Sequence, residues 1–443
     1  MTVLEQNTRV GGNAGSFELE GISVDYGSHR LHPACDPEVL ADIRVLLGND
    51  LLDRPRHGRI RLQGRWIHFP LKPLDLLLRL PPAFAAGVLR DRISKITKPG
   101  EDPSQPPSFA TVLEAGLGRT ICRDFYFPYA RKLWALDPEE LSVTQARRRI
   151  SASSLAKMAR RILFGFRPSG KSRFFYPRHG YGQISEAFYK AAIEAGAEFH
   201  LGARVESVNT EYPGIRHVQF THNGSNRSIP ADFVWSTIPL PSLVRCMKPG
   251  APSSVLDAAE QIQFRAMILI YLVLEQERFS EYDAHYFPES GISISRLSEP
   301  KNYSNTEHPA NVTVLCAELP CSANGPEWGK SDEELSHLVR DSLAMAGIPV
   351  QSGIQKVFTR KLRYAYPIYR QGYETHFNQI DQWLRQINGL ITFGRQGLFV
   401  HDNTHHALYM AYCAVRCLDD SGDFDIARWQ SYREIFDTHV VED

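Results

Sequence analysis

Met1-Thr2-Val3-Leu4-Glu5-Gln6-Asn7-Thr8-Arg9-Val10-Gly11-Gly12-Asn13-Ala14-Gly15 is the stretch on which the fold turns. A short apolar run closes on an acid, and an arginine and two adjacent glycines follow. In a dinucleotide-binding βαβ unit the second strand ends in an Asp or Glu that accepts hydrogen bonds from ribose hydroxyls. The G-x-G-x-x-G turn precedes that acid by roughly 20 residues. Residues 1–5 alone fit an edge strand with an exposed glutamate equally well. Gly11 and Gly12 add a reason for the first reading: backbone without a Cβ can come close to a ribose and a pyrophosphate. Arg9 adds a fixed fork of donors suited to phosphate.

The rest of the composition is that of an ordinary globular protein. The chain has 443 residues, with Lys+Arg 50 against Asp+Glu 50. That balance argues against a nucleic-acid binder acting by net charge. Hydrophobic residues make up 43% and mean hydropathy is −0.30, which argues against disorder. Seven cysteines are too few and too scattered for a disulfide framework, so a reducing, cytoplasmic compartment is expected. Residues 1–10 carry no signal-peptide pattern. No window reaches the ~18 apolar residues of a spanning helix.

Local pattern outlines the elements. Alternation on either side of Gln63-Gly64 predicts a β-hairpin within 51–70. Residues 71–96 read as an amphipathic helix broken at Pro81-Pro82, and 97–107 as a loop. A helix is expected over 183–195, with strands over 198–201, 204–208, 216–222, 227–238, 266–275 and 312–319. Ser331, with Glu334 three residues on, predicts the N-cap of a helix over 332–346. A last helix is expected over 404–418. Residues 141–185 contain no acid, and nine cations fall between 144 and 173. With Leu163, Phe164 and Phe166 nearby, this stretch and 71–96 are expected to form a surface able to touch anionic membrane. Such contact is worth about 1 kcal/mol per Lys or Arg. A solvated helix face or an anionic-substrate funnel fits the same residues.

Gly394-Arg395-Gln396-Gly397-Leu398-Phe399-Val400-His401-Asp402-Asn403-Thr404 follows a strand and enters a helix. Free N–H groups and the helix dipole converge there as an anion site, although a glycine loop capping the helix through Asn403 or Thr404 has the same spacing. His401, His405 and His406 lack metal-ligand spacing, so no metal site is expected. Cys413 and Cys417 read as core residues. Gly180-Tyr181-Gly182 lacks a third glycine and reads as a tight strand-to-helix turn.

Several of these blocks, in this order, resemble flavoproteins of the amine oxidase and protoporphyrinogen oxidase type, close to UDP-galactopyranose mutase-like enzymes. The blocks are the R-x-G-G at Arg9–Gly12, the D-x-G-x-H-like turn Asp25–Arg30, the P-Y-x-x-K-x-W segment from Pro128 to Trp134, the 174–208 block and the G-R-x-G at Gly394–Gly397. Ala135 stands where the family usually has Gly. The resemblance implies FAD, held by Glu5, Arg9, Gly11, Gly12, Gly27, Ser28, His29, Arg30, Val205, Gly394, Arg395, Asn403 and Thr404. It implies an α/β fold: a Rossmann-like FAD-binding domain from 1–35, 174–245 and 385–443, and a mixed α+β substrate domain from 36–173 and 246–384.

The implied activity is hydride transfer from a small-molecule substrate to the flavin, which supplies the redox chemistry. Arg296, Tyr366, Tyr369 and Lys132 are the substrate-facing candidates. A mutase-like isomerase is the alternative. His401 and Asn403 depart from its pattern, where Tyr and Asp are usual. A flavoprotein without activity stays open as a third reading, as does the oligomeric state. Because Glu5 has no phosphate turn upstream of it, a start placed too late is expected. Extension by about 30 residues, one βα unit, is then expected to restore FAD binding that residues 1–443 alone lack.

Overall fold

Phe264–Leu274 reads FRAMILIYLVL, and from Ala266 onward every residue is buried. Thr313–Cys321, its antiparallel neighbour, is buried throughout. Strands apolar on both faces need cover on both, and the computed structural model shows what supplies it. The model describes residues 1–70, 79–97, 107–149, 173–211 and 214–441. Ile268, Ile270 and Leu272 pack with Leu315 and Ala317 against Leu335, Val339 and Leu343 of the helix Asp332–Met345. On the other face Met267, Leu269, Tyr271 and Val273 meet Leu19, Ile22, Val24 and Tyr26. Those last four belong to or directly follow an antiparallel hairpin, Ser16–Leu19 with Ile22–Asp25. The N-terminal segment is thereby laid directly on the central sheet.

That sheet has seven strands, in the order Ile354–Pro367, Phe264–Leu274, Thr313–Cys321, Arg296–Ser298, Ala284–Tyr286, Gly58–Leu62 and Arg65–Phe69. The last two form the expected hairpin. Gln63 and Gly64 both have positive φ, 49° and 74°, as a two-residue hairpin turn of the right twist requires.

The second part of the molecule is built from parallel pairs. Thr2–Glu5 pairs with Glu198–Leu201, and Val234–Ser236 with Leu390–Thr392. A four-stranded sheet, Ser225–Pro230, Gly214–His222, Arg204–Glu211 and Met247–Lys248, stands beside them. The helices Gln183–Glu194 and Thr404–Val415 fall where the sequence places them. The capping box at Ser331 and Glu334 forms with both bonds present. Parallel pairs with crossover helices beside a mixed sheet make the fold α/β. Among the described residues no helix is long and apolar enough to cross a membrane. Most of the acid-free stretch, 150–172, and residues 71–78 lie outside the described residues, as does most of the 97–107 loop. Ala135, the family's usual glycine position, ends the helix Phe127–Trp134 in the left-handed region, with φ 54°. Glycine holds that conformation without the Cβ strain that alanine carries.

Asp25 joins the two parts. Its carboxylate accepts hydrogen bonds from Ser16 Oγ at 2.6 Å, Tyr176 OH at 2.7 Å and the Tyr181 amide at 2.8 Å. Its backbone carbonyl accepts from Tyr271 OH at 2.6 Å. Burial pushes its pKa up, against the pull of His29 and the three donors. Asp25→Ala leaves those donors unanswered in the interior and should cost about 3 kcal/mol or more. Asp25→Asn keeps an acceptor and should cost about half as much. Urea unfolding midpoints of the two variants check the order.

Candidate functional site

A cleft of about 890 Å³ runs between the parallel-strand part and the face of the mixed sheet. One end is glycine and helix terminus. Glu5 closes its strand there, with Oε1 held by the Asn7 amide at 2.8 Å. Gly11 and Gly12 have φ 96° and 52°. A Cβ on Gly11 would stand 3.1 Å from Ser185 Oγ. Across the cleft, Gly394 (φ 76°) starts the turn that leads to Asn403 and the helix Thr404–Val415. Asn403 caps that helix in a reciprocal box with His406. A strand-end acid, two glycines and a helix N-terminus facing one space fit a dinucleotide.

Arg395 sits at the middle of the cleft. Its Nη2 donates to the Ala365 carbonyl at 2.6 Å and its Nη1 to that of Asp402 at 3.3 Å. The guanidinium carbon stands 5.0 Å from the Tyr366 ring centre, and Tyr366 in turn packs on His401 at 4.9 Å. The turn Gly27–Arg30 forms the floor. Ser28 donates its amide to Glu318 Oε1 at 2.8 Å. His29 bonds the Tyr26 carbonyl and stacks on Tyr181, and burial pushes its pKa down. Arg30 reaches Asp283 at 3.2 Å, Tyr303 OH at 3.0 Å and Tyr286 OH at 3.1 Å. Arg296 completes the floor, paired with Glu318.

The structure thus brings Glu5, Gly11, Gly12, Ser28, His29, Arg30, Arg296, Tyr366, Gly394, Arg395, Asn403 and Thr404 onto one cleft. Five other expected site residues lie off its lining, each for a visible reason. Lys132 is a clasp: its ammonium donates to the carbonyls of Phe287, Glu289 and Ile294, and burial pulls its pKa down to about 7. Tyr369 is buried, its hydroxyl donating to the Phe399 carbonyl at 3.1 Å and accepting the His401 amide at 2.9 Å. It braces the 399–401 turn from behind. Arg9 donates to the Ser16 carbonyl at 3.0 Å and lies over the Tyr26 ring. Gly27 is turned toward Glu318, and Val205 packs in the core beside the Arg204–Glu211 strand's partners. The Gly180–Gly182 turn is welded to the hairpin instead of opening to the cleft: the Gly182 amide donates to Ser16 Oγ at 2.6 Å, and a Cβ on Gly182 would stand 2.4 Å from the Ser16 nitrogen.

Glu318, Arg360 and His439 are not among the residues expected from the sequence, yet each stands at or beside the cleft. Glu318 and Arg360 line the cleft. Asp402 is buried behind the 401–404 turn, with His439 Nδ1 at 3.1 Å and Arg148 Nη1 at 3.6 Å. His406 and His439 stack at 4.2 Å with 15° between their planes. Asp402, His406 and His439 each offer one ligand atom, and these atoms lie within 4.8 Å of one another, a metal-ligand grouping that the sequence spacing does not suggest. Arg148 ties down the end of the chain, donating to the Phe436 carbonyl at 2.6 Å while its own carbonyl accepts the Val441 amide at 2.7 Å. The signal for Glu318 is a lone carboxylate within an apolar stretch, since a buried charge has to be paired.

The family described as flavin containing amine oxidoreductase matches residues 1–409. The chain belongs to this family. FAD is its cofactor, and the glycine cradle, strand-end acid and helix terminus fit it. Among solved structures, reduced UDP-galactopyranose mutase is similar with a TM-score of 0.80 at 18% identity, over 99% of this chain and 94% of that one. A putative protoporphyrinogen oxidase from Exiguobacterium sp. 255-15 gives 0.67 at 19%, over 90% and 88%. Putrescine oxidase bound to putrescine gives 0.59 at 16%, over 89% and 88%. At these identities the likeness shows the fold alone. No curated protein matches the chain.

Lys132→Met should therefore lower stability, by about 1–3 kcal/mol for the unanswered carbonyls, and leave flavin content and ligand affinity at wild-type values. Thermal unfolding and flavin per chain on the same preparation check both halves.

Proposed function

We propose that this flavoenzyme oxidises a small anionic molecule by hydride transfer to FAD. The observation that carries the reading is the charge on the cleft wall. Arg30, Arg56, Arg296, Arg360, Lys361, Arg363 and Arg395 line it, against the carboxylates of Glu5, Glu318 and Asp402. The acids are committed elsewhere. Glu5 accepts the Asn7 amide, Glu318 holds Arg296, and Asp402 lies beside His439 and Arg148. Three of the cations lean on rings or a carbonyl: Arg360 on Tyr26, Lys361 on the Trp328 carbonyl and Arg363 on the Trp328 ring. A protonated amine entering this space meets seven cationic side chains against three carboxylates. The same excess draws an anion, an effect amplified by the low-dielectric walls.

Bound FAD supplies the two-electron acceptor. Glu5 would take the ribose hydroxyls, Gly11 and Gly12 the close approach of the pyrophosphate, and Arg395 with the Gly394 turn and the Thr404–Val415 terminus the remaining negative charge. Arg296 and Arg360 would grip the substrate's anionic groups. Tyr366, held between Arg395 and His401, would fix its plane. Tyr129 and Leu133, on the far wall, would exclude water.

A second reading, a UDP-galactopyranose mutase-like isomerase, is favoured by the same wall: arginines beside Tyr364 and Tyr366 suit a diphosphate. One assay separates the two. Incubation of reduced, flavin-loaded protein with UDP-galactopyranose converts the sugar with no net redox change under the isomerase reading, and leaves it untouched under the oxidase reading. Both readings require anion binding. Reversal of charge in Arg360→Glu/Arg363→Glu should abolish detectable affinity for inorganic pyrophosphate, while putrescine fails to bind the wild type. Isothermal calorimetry that shows putrescine binding and no pyrophosphate binding sinks the anionic reading.

A further inference from the structure

Glu318 joins the Gly27–Arg30 turn to Arg296 on the floor of the cleft. It lies in Thr313–Cys321 between Ala317 and Leu319, in a strand buried along its whole length. Its carboxylate takes Arg296 as a fork: Nε to Oε1 at 2.9 Å and Nη2 to Oε2 at 2.9 Å. The same Oε1 accepts the Ser28 amide at 2.8 Å. Strand register presets the pair, because Arg296 and Glu318 face each other across adjacent antiparallel strands, and the Ser295 amide donates to the Glu318 carbonyl at 2.8 Å. Gly27 has φ 93°, and a Cβ there would stand 3.2 Å from Glu318 Oε1. A side chain there would be strained by the positive φ and would press on Glu318 Oε1, so glycine suits the turn at this spacing.

We propose that Glu318 is a positioning residue: one carboxylate aims Arg296 into the cleft and pins the Gly27–Ser28 turn, so that the substrate arginine and the flavin-side turn keep one fixed spacing. The proposal rests on the reading above, in which an anionic substrate meets Arg296 next to the flavin. The fork fixes the plane of the guanidinium as well as its place. Removing one member of a buried pair leaves the other charge without its partner, so Arg296 loses the fork that fixes its aim.

Charge and aim make opposite predictions, which gives the test its sign. Neutralising Glu318 makes the cleft more positive, so a pure field effect tightens anion binding. If the carboxylate acts by aiming Arg296, binding weakens. The experiment uses the full, flavin-loaded chain as wild type, Glu318→Gln, Arg296→Ala and the double variant, with inorganic pyrophosphate as the probe in calorimetry. Amide hydrogen exchange over residues 26–30 is followed in parallel. The Gln variant is nearly isosteric, and flavin per chain reports that the site is assembled.

The expected result is about tenfold weaker binding in Glu318→Gln, the effect of about 1.4 kcal/mol. The double variant should bind no more weakly than Arg296→Ala, and exchange at the Ser28 amide should quicken. Unchanged or tighter binding in Glu318→Gln overturns the proposal, and so does a loss that adds in full to that of Arg296→Ala. Failure of the wild type to bind pyrophosphate overturns the anionic reading instead. In that case the Ser28 amide decides for Glu318: faster exchange supports the pinning role and unchanged exchange overturns it.

Discussion

A carboxylate buried at the junction of three chain segments is the constraint from which the rest of this molecule follows. Asp25 ends the first hairpin and is gripped by Ser16 of that hairpin, by Tyr176 and by the Tyr181 amide, while its carbonyl takes the hydroxyl of Tyr271 from the central sheet. Residues near 25, 180 and 270 in sequence are thus held at one point. An ionisable group out of water persists only where donors surround it, and here each donor comes from a different element. Shifting any one of them exposes the charge to apolar surroundings. The next residues, Tyr26 to Arg30, therefore have little freedom in where they lie, and they form the floor of the cleft.

Glu318 repeats the device from the opposite side. It rises from the most buried strand of the sheet to meet Ser28 and Arg296, while Arg30 is held through Asp283, Tyr286 and Tyr303. Both floor arginines are thereby immobilised by partners that neutralise part of their charge. The wall arginines and lysine, at 360, 361 and 363, are held by aromatic rings and a carbonyl. They keep their field. The cleft is consequently rigid at its floor and electropositive at its wall, a combination suited to holding an anion in one orientation against a flat cofactor.

Much of this was visible in the chain itself. The run at 266–275 read as a core strand and the Gln63-Gly64 alternation as a hairpin, and the structure has both, because each pattern depends on contacts a few residues apart. The glycine and acid spacings at 1–15 and 394–404 pointed to segments that meet at one cleft for the same reason: a strand end, a Cβ-free approach and a helix terminus are all local. Lys132 and Tyr369 were misplaced because residue type says what a side chain can do and not which way it faces. A lysine among aromatics fits a cleft wall as well as it fits a cage of carbonyls 155 to 162 positions away.

The sequence by itself determined the Gln63-Gly64 hairpin, the core strands near 266–275 and 312–319, the Ser331 cap and the flavin family, since each is written in neighbouring residues; the expected strand over 227–238 is two, Ser225–Pro230 and Val234–Ser236. Only the tertiary structure decided that Asp25 and Glu318 are the anchors, that Arg9 is held by the Ser16 carbonyl while Arg360 lines the cleft, and that Arg148 bonds the backbone at Phe436 and Val441. Most of these are pairings of charges or donors across large sequence separations. Such a pairing is decided by which groups the packed layers leave facing one another, and that depends on the burial of the sheet as a whole.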